Sequence, residues 1–200
     1  MSREAHVQFC ERREVRLLPA TLLVILCRTE AQAREAYRQL EAILARLGLC
    51  LNPQKTRSIQ LTEGREGFDF LGFHHHKRVS WRWPGRWYLQ SWPSQKATQT
   101  IRRRIKETLT PRYPGTAIAI LVARLNPVLR GWAAYFRQGN SAHVFERINR
   151  YVHERLALFA SKQRRQVGRG WKTRYPTSWL RGLGVIRLSG IRVRSALHAT

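Results

Sequence analysis

The residues whose types and spacing could do chemistry are mostly cations. Thirty-seven Lys and Arg stand against 12 Asp and Glu, a formal charge of +25. The excess is uneven: residues 1–66 carry a net +3 and residues 67–200 a net +22. The basic groups come in clusters: Arg102, Arg103, Arg104 and Lys106; Arg130 and Arg137; Arg147, Arg150 and Arg155; then Arg164, Arg165, Arg169, Lys172 and Arg174. So much charge of one sign opposes compaction unless a polyanion offsets it. Guanidinium clusters of this kind contact phosphates, with salt-sensitive affinity and little reading of sequence. Nucleic acid is therefore the expected partner. A membrane surface fits less well, because the cations are interspersed with aromatic residues in folded-looking segments rather than gathered in one amphipathic tail.

Trp81, Trp83, Trp87 and Trp92 alternate with Arg82 and Arg86. Exposed aromatics there would stack on unpaired bases; buried ones would fill small cores. The consecutive His74, His75 and His76 invite a metal reading. Neighbouring side chains on a strand alternate faces, so three in a row cannot converge on one ion, and surface or RNA-facing imidazoles are preferred. Cys10, Cys27 and Cys50 are odd in number and lack CxxC spacing, which argues against a disulfide framework and a zinc site; Cys27 and Cys50 are expected to fill a core. No Ser-His-Asp or Cys-His arrangement follows from spacing, so no catalytic residue and no metal ligand is assigned.

No apolar run approaches the roughly 18–20 residues a membrane span needs. The charged stretch 1–14 lacks the apolar core of a signal peptide. The expected compartment is the cytoplasm.

Elements must position these groups. Residues 1–16 give no clear pattern. Residues 22–27 are a short apolar run that predicts a buried strand. Thr29 and Gln32 then form a capping-box pattern. Ala33, Tyr37, Leu40, Ile43, Leu44 and Leu47 follow at helical spacing, and Gly48 stands at the C-cap. Asn52-Pro53 marks a turn, residues 58–61 a strand, 62–67 a hairpin-like connection, and 68–73 the return strand. Ser94 is an N-cap for a helix to about Leu109, with Ala97, Ile101, Ile105 and Leu109 as its stripe. "PRYPG", 111–115, breaks it. A second helix is expected over 116–125 and a third to Arg137, capped by Asn126 with Pro127 in its first position. Ser141 opens the longest helix, with Val144, Phe145, Ile148, Val152, Leu156 and Phe159 inside. Residues 171–200 read as irregular or weakly β. Gly131 costs about 1 kcal/mol in a helix relative to Ala; a close helix–helix or helix–RNA approach would explain it, tight helix packing being preferred.

Three stretches resemble the reverse transcriptase–maturases encoded by group II introns. "LGLCLNPQKTRSIQL" with "EGFDFLGF" is similar to the end of the family's polymerase palm. "PSQKATQTIRRRIKE" resembles its first thumb helix, and "LNPVLRGWAAYFRQGNSAHVFERINRYVHERL" the maturase-specific thumb, or X domain. The signature there is Arg130, Gly131, Trp132, Tyr135 and Phe136. The resemblance runs from about residue 22 to 175 and implies an α+β chain: a partial palm (strand, helix, hairpin) over 1–75, a connector over 76–93, a helical maturase bundle over 94–175 and a basic tail over 176–200. The family's fingers and front of the palm have no counterpart, nor does an HNH endonuclease domain follow. The resemblance also implies that Phe70, Leu71 and Gly72 lie near a primer or template.

In the family, Tyr-Ala-Asp-Asp precedes the first of these strands. Here Pro19, Ala20, Thr21 and Leu22 stand near that place, and no Glu lies between Arg16 and Arg28. DNA synthesis needs carboxylates that hold two Mg²⁺ ions. The 200 residues contain one aspartate, Asp69, in a strand not counted among the family's metal ligands. No cofactor is expected, and Mg²⁺ only if a partner supplies the aspartates. The first expectation is an RNA-binding maturase-type fragment for structured RNA, group II intron RNA above all, without polymerase activity of its own. The alternatives are the C-terminal half of a split or frameshifted RNA-directed DNA polymerase, completed by an N-terminal fragment, and an inactive remnant of a mobile element.

Overall fold

The computed structural model of the chain describes residues 4–8, 23–53, 55–61, 66–80, 82–110, 115–166 and 170–188. Outside them lie residues 9–22, which include Cys10 and the first residue of the first predicted strand, the 62–65 connection, Trp81, the 111–114 break, Arg169 and the end of the tail. The architecture mixes α and β structure, in two units: Met1–Gln90 and Ser91–Thr200.

In the first unit, β1 (Glu4–Gln8), β2 (Leu23–Cys27), α1 (Glu30–Arg46) and β3 (Arg57–Gln60) follow in order. The sheet order is β2-β1-β3, with β1 antiparallel to both neighbours. Glu4 stands opposite Cys27 on one side and Gln60 on the other. The central strand thus comes from the stretch that the hydrophobic pattern left unassigned. β2 is a strand as expected but not a buried one: Leu23 is 39% exposed and Leu26 60%, while Cys27 is buried. The apolar run signalled burial; α1 packs against β1 and β2 yet leaves these leucines in solvent.

Local chemistry fixes α1 at both ends. The Gln32 N–H donates to Thr29 Oγ1 at 3.2 Å, and Gln32 Oε1 accepts from the Arg28 N–H at 3.0 Å. The return bond of the box therefore reaches one residue further back than the usual pattern. At the other end Gly48 takes φ +68°, with Gly48 N–H donating to Ala45 O and Leu49 N–H to Leu44 O. This is a Schellman closure. The Asn52 carbonyl then accepts from the Thr56 N–H and hydroxyl, at 2.9 and 2.8 Å, which makes the predicted turn.

The segment "FDFLGF" is not one return strand. β4 (Gly67–Phe70) and β5 (Phe73–Val79) pair antiparallel, with Phe70 opposite Phe73. Leu71 and Gly72 are the two-residue turn between them, at φ +47° and +78°. Positive φ at both positions defines a type I′ turn, whose twist suits a hairpin. β6 (Trp87–Pro93) completes a second sheet, β4-β5-β6, so β4 pairs with β5 and not back onto β3. Ile59 and Leu61 form the small buried cluster of this unit, with Val24 and Phe68 packed against it.

The second unit is helical: α2 (Gln95–Thr108), α3 (Ile118–Phe136), α4 (Ala142–Gln163), α5 (Trp171–Arg174) and α6 (Thr177–Gly182). Ser94 caps α2 as expected, its Oγ accepting from the Ala97 N–H at 3.2 Å. The two helices predicted over 116–137 are one, because α3 runs through Pro127. A proline inside a helix frees the carbonyl four residues back, here that of Ala123, and costs about 3 kcal/mol. Burial on both sides holds the helix together: Leu121, Val122 and Leu125 before the proline, Leu129, Ala133 and Phe136 after it. Each fully buried aliphatic side chain contributes about 1.5–3 kcal/mol. Asn126 is then no cap. Its Nδ2 donates to Gly184 O at 2.8 Å and its Oδ1 accepts from the Ile186 N–H at 3.1 Å.

Ser141 likewise precedes α4 without capping it; its buried hydroxyl donates to Phe136 O at 2.6 Å and closes the end of α3. α2, α3 and α4 pack pairwise around Ile105, Leu121, Leu125, Leu129, Ile148 and Leu156. The expectation of an irregular or weakly β stretch from 171 is corrected for residues 170–188. α5 and α6 are helical, and residues 184–188 lie against α3 and α4. Asn149 Oδ1 accepts from the Leu188 N–H at 3.0 Å, Arg187 pairs with Glu146 at 3.2 Å, and Leu188 is fully buried. Helix amides supplied the polar partners that make this extended segment foldable.

Two outcomes test these arguments. Leu71→Asn puts at this left-handed turn position a residue type that type I′ turns favour over leucine, and raises the melting temperature of the β4–β5 hairpin region. Asn126→Ala strands the Ile186 amide at a cost of about 1–3 kcal/mol. Amide hydrogen exchange at residues 184–188 then accelerates more than exchange in the middle of α4.

Candidate nucleic-acid interface

Of the fourteen cations singled out in the sequence, Arg169 lies outside the described residues, twelve are exposed and Arg155 is half-buried. The buried stripe of α2, Ile101 and Ile105, faces the core, so Arg102, Arg103, Arg104 and Lys106 fan outward around the rest of the helix. Arg103 also stands 3.9 Å from Glu107.

Arg102 is the most informative of them. Its guanidinium lies over the Tyr151 ring, 4.4 Å from the centroid. Tyr151 belongs to α4, and its neighbours at i−4 and i+4 are Arg147 and Arg155. Residues four apart share one face of a helix, so one strip carries Arg147, Tyr151 and Arg155, with Arg102 added from α2. Arg155 Nε is buried and has no hydrogen-bond partner among the described residues. One guanidinium is set over Tyr151, and helical spacing places two more on the same face of α4. Arg150 lies off that face, and Arg130 and Arg137 are on α3, so the structure does not bring all the predicted cations into one site. Arg164 and Arg165 close α4 in a second Schellman turn, with Arg165 at φ +52° and the Gln166 N–H donating to Ser161 O. Lys172 stands 5.9 Å from the Trp171 ring.

The Arg-Gly-Trp and Tyr-Phe signature divides by burial. Phe136 is buried, and half-buried Trp132 packs on Phe136 and Phe145 with centroids 4.8 and 5.6 Å apart. Trp132 is thus a core aromatic. Tyr135 touches the edge of Phe136 yet is 53% exposed. Gly131 overturns the preferred packing account: a β-carbon built on it meets nothing within 4 Å. Among the described residues no helix approaches closely enough there to require glycine.

In the first unit, Leu71 is 59% exposed at the hairpin turn, beside half-buried Phe70 and exposed Gly72. Asp69 and His74 face each other across the hairpin, with Asp69 Oδ1 and His74 Nδ1 2.6 Å apart. The three histidines alternate as expected: His74 and His76 stack on one side, and His75 stacks on Phe68 on the other. Burial lowers the His75 pKa below the ordinary imidazole value, partly offset by its hydrogen bond with the Phe70 backbone. Among the described residues no three His, Cys, Asp or Glu side chains are gathered as for a metal ion. Cys27 is buried, but Cys50 is exposed and fills no core, because it lies beyond the end of α1. Among the described residues no helix is long and apolar enough to cross a membrane.

Sequence reasoning missed Tyr151, Asn126 and Asn149 as organisers. The Arg147-Tyr151-Arg155 spacing was the available signal for the first; the asparagines act at long range and leave no local one.

Residues 98–176 match the family model described as the group II intron maturase-specific domain. The match lies wholly within the second unit and includes α3, α4 and most of α2. It supports the maturase C-terminal region that the Arg-Gly-Trp segment implied, and with it a group II intron maturase role. No curated protein matches the chain.

The open space at Gly131 makes a sharp prediction. Gly131→Ala introduces no clash and raises the stability of the second unit by about 1 kcal/mol, the helix-propensity difference. Chemical denaturation followed by far-ultraviolet circular dichroism measures it.

Proposed function

We propose that the chain is an RNA-binding maturase-type protein. It binds structured group II intron RNA and helps that RNA fold for splicing, with no polymerase chemistry of its own. The observation that carries this reading is the Tyr151 strip inside the matched domain: Arg102, Arg147 and Arg155 set on two packed helices, one of them with an orphaned buried N–H. Phosphate oxygens are acceptors only, and a guanidinium fork matches their geometry. The transesterifications belong to the RNA; a protein that binds and orders it needs a shaped cationic surface rather than catalytic carboxylates. The chain's single aspartate, engaged with His74, accords with that division of labour. The order β2, α1, β3 followed by the "FDFLGF" hairpin supports reading the first unit as the end of a reverse-transcriptase palm, with Phe70, Leu71 and Gly72 turned to primer or template.

A second reading is favoured by one observation. Leu26, Ile43 and Leu47 are 60%, 54% and 68% exposed on β2 and at the end of α1. An N-terminal reverse-transcriptase fragment that covers them would make the pair a split polymerase. Primer extension that requires both chains and Mg²⁺ would establish that reading.

The first reading predicts tight, salt-dependent binding to intron RNA with preference over duplex DNA. In a filter-binding titration across a salt series, the triple variant Arg102→Gln, Arg147→Gln, Arg155→Gln loses about 2–3 units of the log K against log [salt] slope, close to one per phosphate contact. Equal affinity for duplex DNA and intron RNA would sink the maturase reading.

A further inference from the structure

The connection from β5 to β6, residues 80–86, lies outside the matched domain and carries the sequence Ser-Trp-Arg-Trp-Pro-Gly-Arg. The Arg86 N–H donates to Trp83 O at 3.1 Å, and Gly85 takes φ +79°. With Pro84 in the preceding position, Trp83 to Arg86 is a type II turn. The Trp83 N–H donates to Ser80 Oγ at 3.1 Å, and the Ser80 N–H donates to Arg86 O at 2.7 Å. Both backbone groups of Trp83 are thus tied down. Among the described residues its side chain has no hydrogen bond, and the residue is 57% exposed. A tryptophan this exposed fills no core. Held on a proline-glycine turn, it has little backbone entropy left to lose when something covers it.

Two guanidiniums flank the ring. Arg82 Cζ is 6.0 Å and Arg86 Cζ 5.7 Å from its centroid. Both lie at the outer edge of the roughly 6 Å cation–π range, so neither guanidinium is in stacked contact with the ring, which at van der Waals contact would be about 3.5–4.0 Å. Both stay near it, placed for the phosphates of anything that does. Lys77 stands 5.9 Å from the neighbouring Trp87 ring. No acidic residue occurs between Asp69 and Glu107. The surroundings are cationic without interruption in sequence, with an aromatic plane at the tip.

We propose that Trp83 is a stacking platform for an unpaired base of single-stranded RNA, with Arg82 and Arg86 on the flanking phosphates. The proposal rests on the RNA-binding reading above and adds a second, chemically different site to it. The α2–α4 strip takes phosphates of folded RNA; the turn takes a base that folding leaves unpaired. Stacking of this kind tolerates any base, since each has a π face.

The test uses the full chain and two probes: a fluorescein-labelled oligouridylate of about ten nucleotides, within the usual single-strand site size, and a structured group II intron RNA. Trp83→Leu keeps apolar bulk and removes the π face. It is expected to weaken oligouridylate binding about tenfold, the scale of one lost stacking contact, with an unchanged salt slope. Trp83→Tyr retains most of the affinity. The pair Arg82→Gln, Arg86→Gln leaves the turn residues intact and lowers the oligouridylate salt slope by about 1.4. An oligouridylate that the wild-type chain does not bind, or that Trp83→Leu binds as tightly, overturns the platform while intron RNA binding still stands. Unchanged RNA affinity with Trp83-dependent binding to phosphatidylserine vesicles overturns it in favour of a membrane surface. Failure of the wild-type chain on the intron RNA overturns the maturase reading instead.

Discussion

Like charges on a small helical unit repel, and the second unit holds them together with an apolar core of aliphatic and aromatic side chains. Arg102 to Lys106 crowd one helix within a single turn and a half, and further arginines line α4 beneath them. What opposes the repulsion is burial along the other faces: Ile101 and Ile105 from α2, Leu121, Leu125 and Leu129 from α3, Ile148, Val152 and Leu156 from α4. α2 and α4 are each divided between a buried stripe that closes the bundle and a charged remainder that would be more stable against a polyanion. The Arg102–Tyr151 contact shows the two demands meeting. A guanidinium that could not be buried alone lies instead over an aromatic face, an arrangement worth about 0.5–2 kcal/mol, and so keeps its charge at the surface while helping α2 seat on α4.

Polar side chains then do in this bundle what caps do in isolated helices, but at long range. Asn126 and Ser141 each sit where a local rule would assign another task. Asn126 precedes a proline and would cap; Ser141 precedes a helix and would cap. Both instead satisfy backbone groups elsewhere: the Ile186 amide and Gly184 carbonyl, and the Phe136 carbonyl. The gain is larger there. A helix N-terminus at the surface finds water, whereas a half-buried amide in the segment under Leu188 does not, and leaving it unpaired costs more than a missing cap.

This explains which parts of the fold were legible in the sequence. α1, α2 and α4 were legible because their amphipathic periods and end signals agree: Thr29 with Gln32, Gly48, and Ser94. The continuity of α3 was not, because Asn-Pro is a sound local start signal that only the burial of Leu121 to Phe136 overrides. β1 was not, because its short polar-mixed sequence carries no period; its place between β2 and β3 is set by pairing rather than by apolar content. The Leu71-Gly72 turn was misread because leucine disfavours the left-handed region that the turn demands. Of the candidate site, the identity of the cations was legible and their grouping was not. Grouping depends on the α2–α4 contact, and Tyr151, which organises it, looks in sequence like any aromatic in a helix.

Gly131 carries the remaining argument about where partners approach. A glycine in the middle of α3 costs helical stability, and the usual internal compensation, a neighbouring helix drawn in against its bare backbone, is missing, since the space around it is open. Nor does the backbone require glycine by conformation, because Gly131 lacks the positive φ that Gly48, Gly72 and Gly85 show. Within the chain, then, the residue is a loss without a matching gain. On its own helix it is flanked by exposed Arg130 and, one turn on, by exposed Tyr135, a cation and an aromatic beside uncovered peptide groups. In a bundle whose charge favours a polyanion, the open backbone at Gly131 leaves room for one to come close.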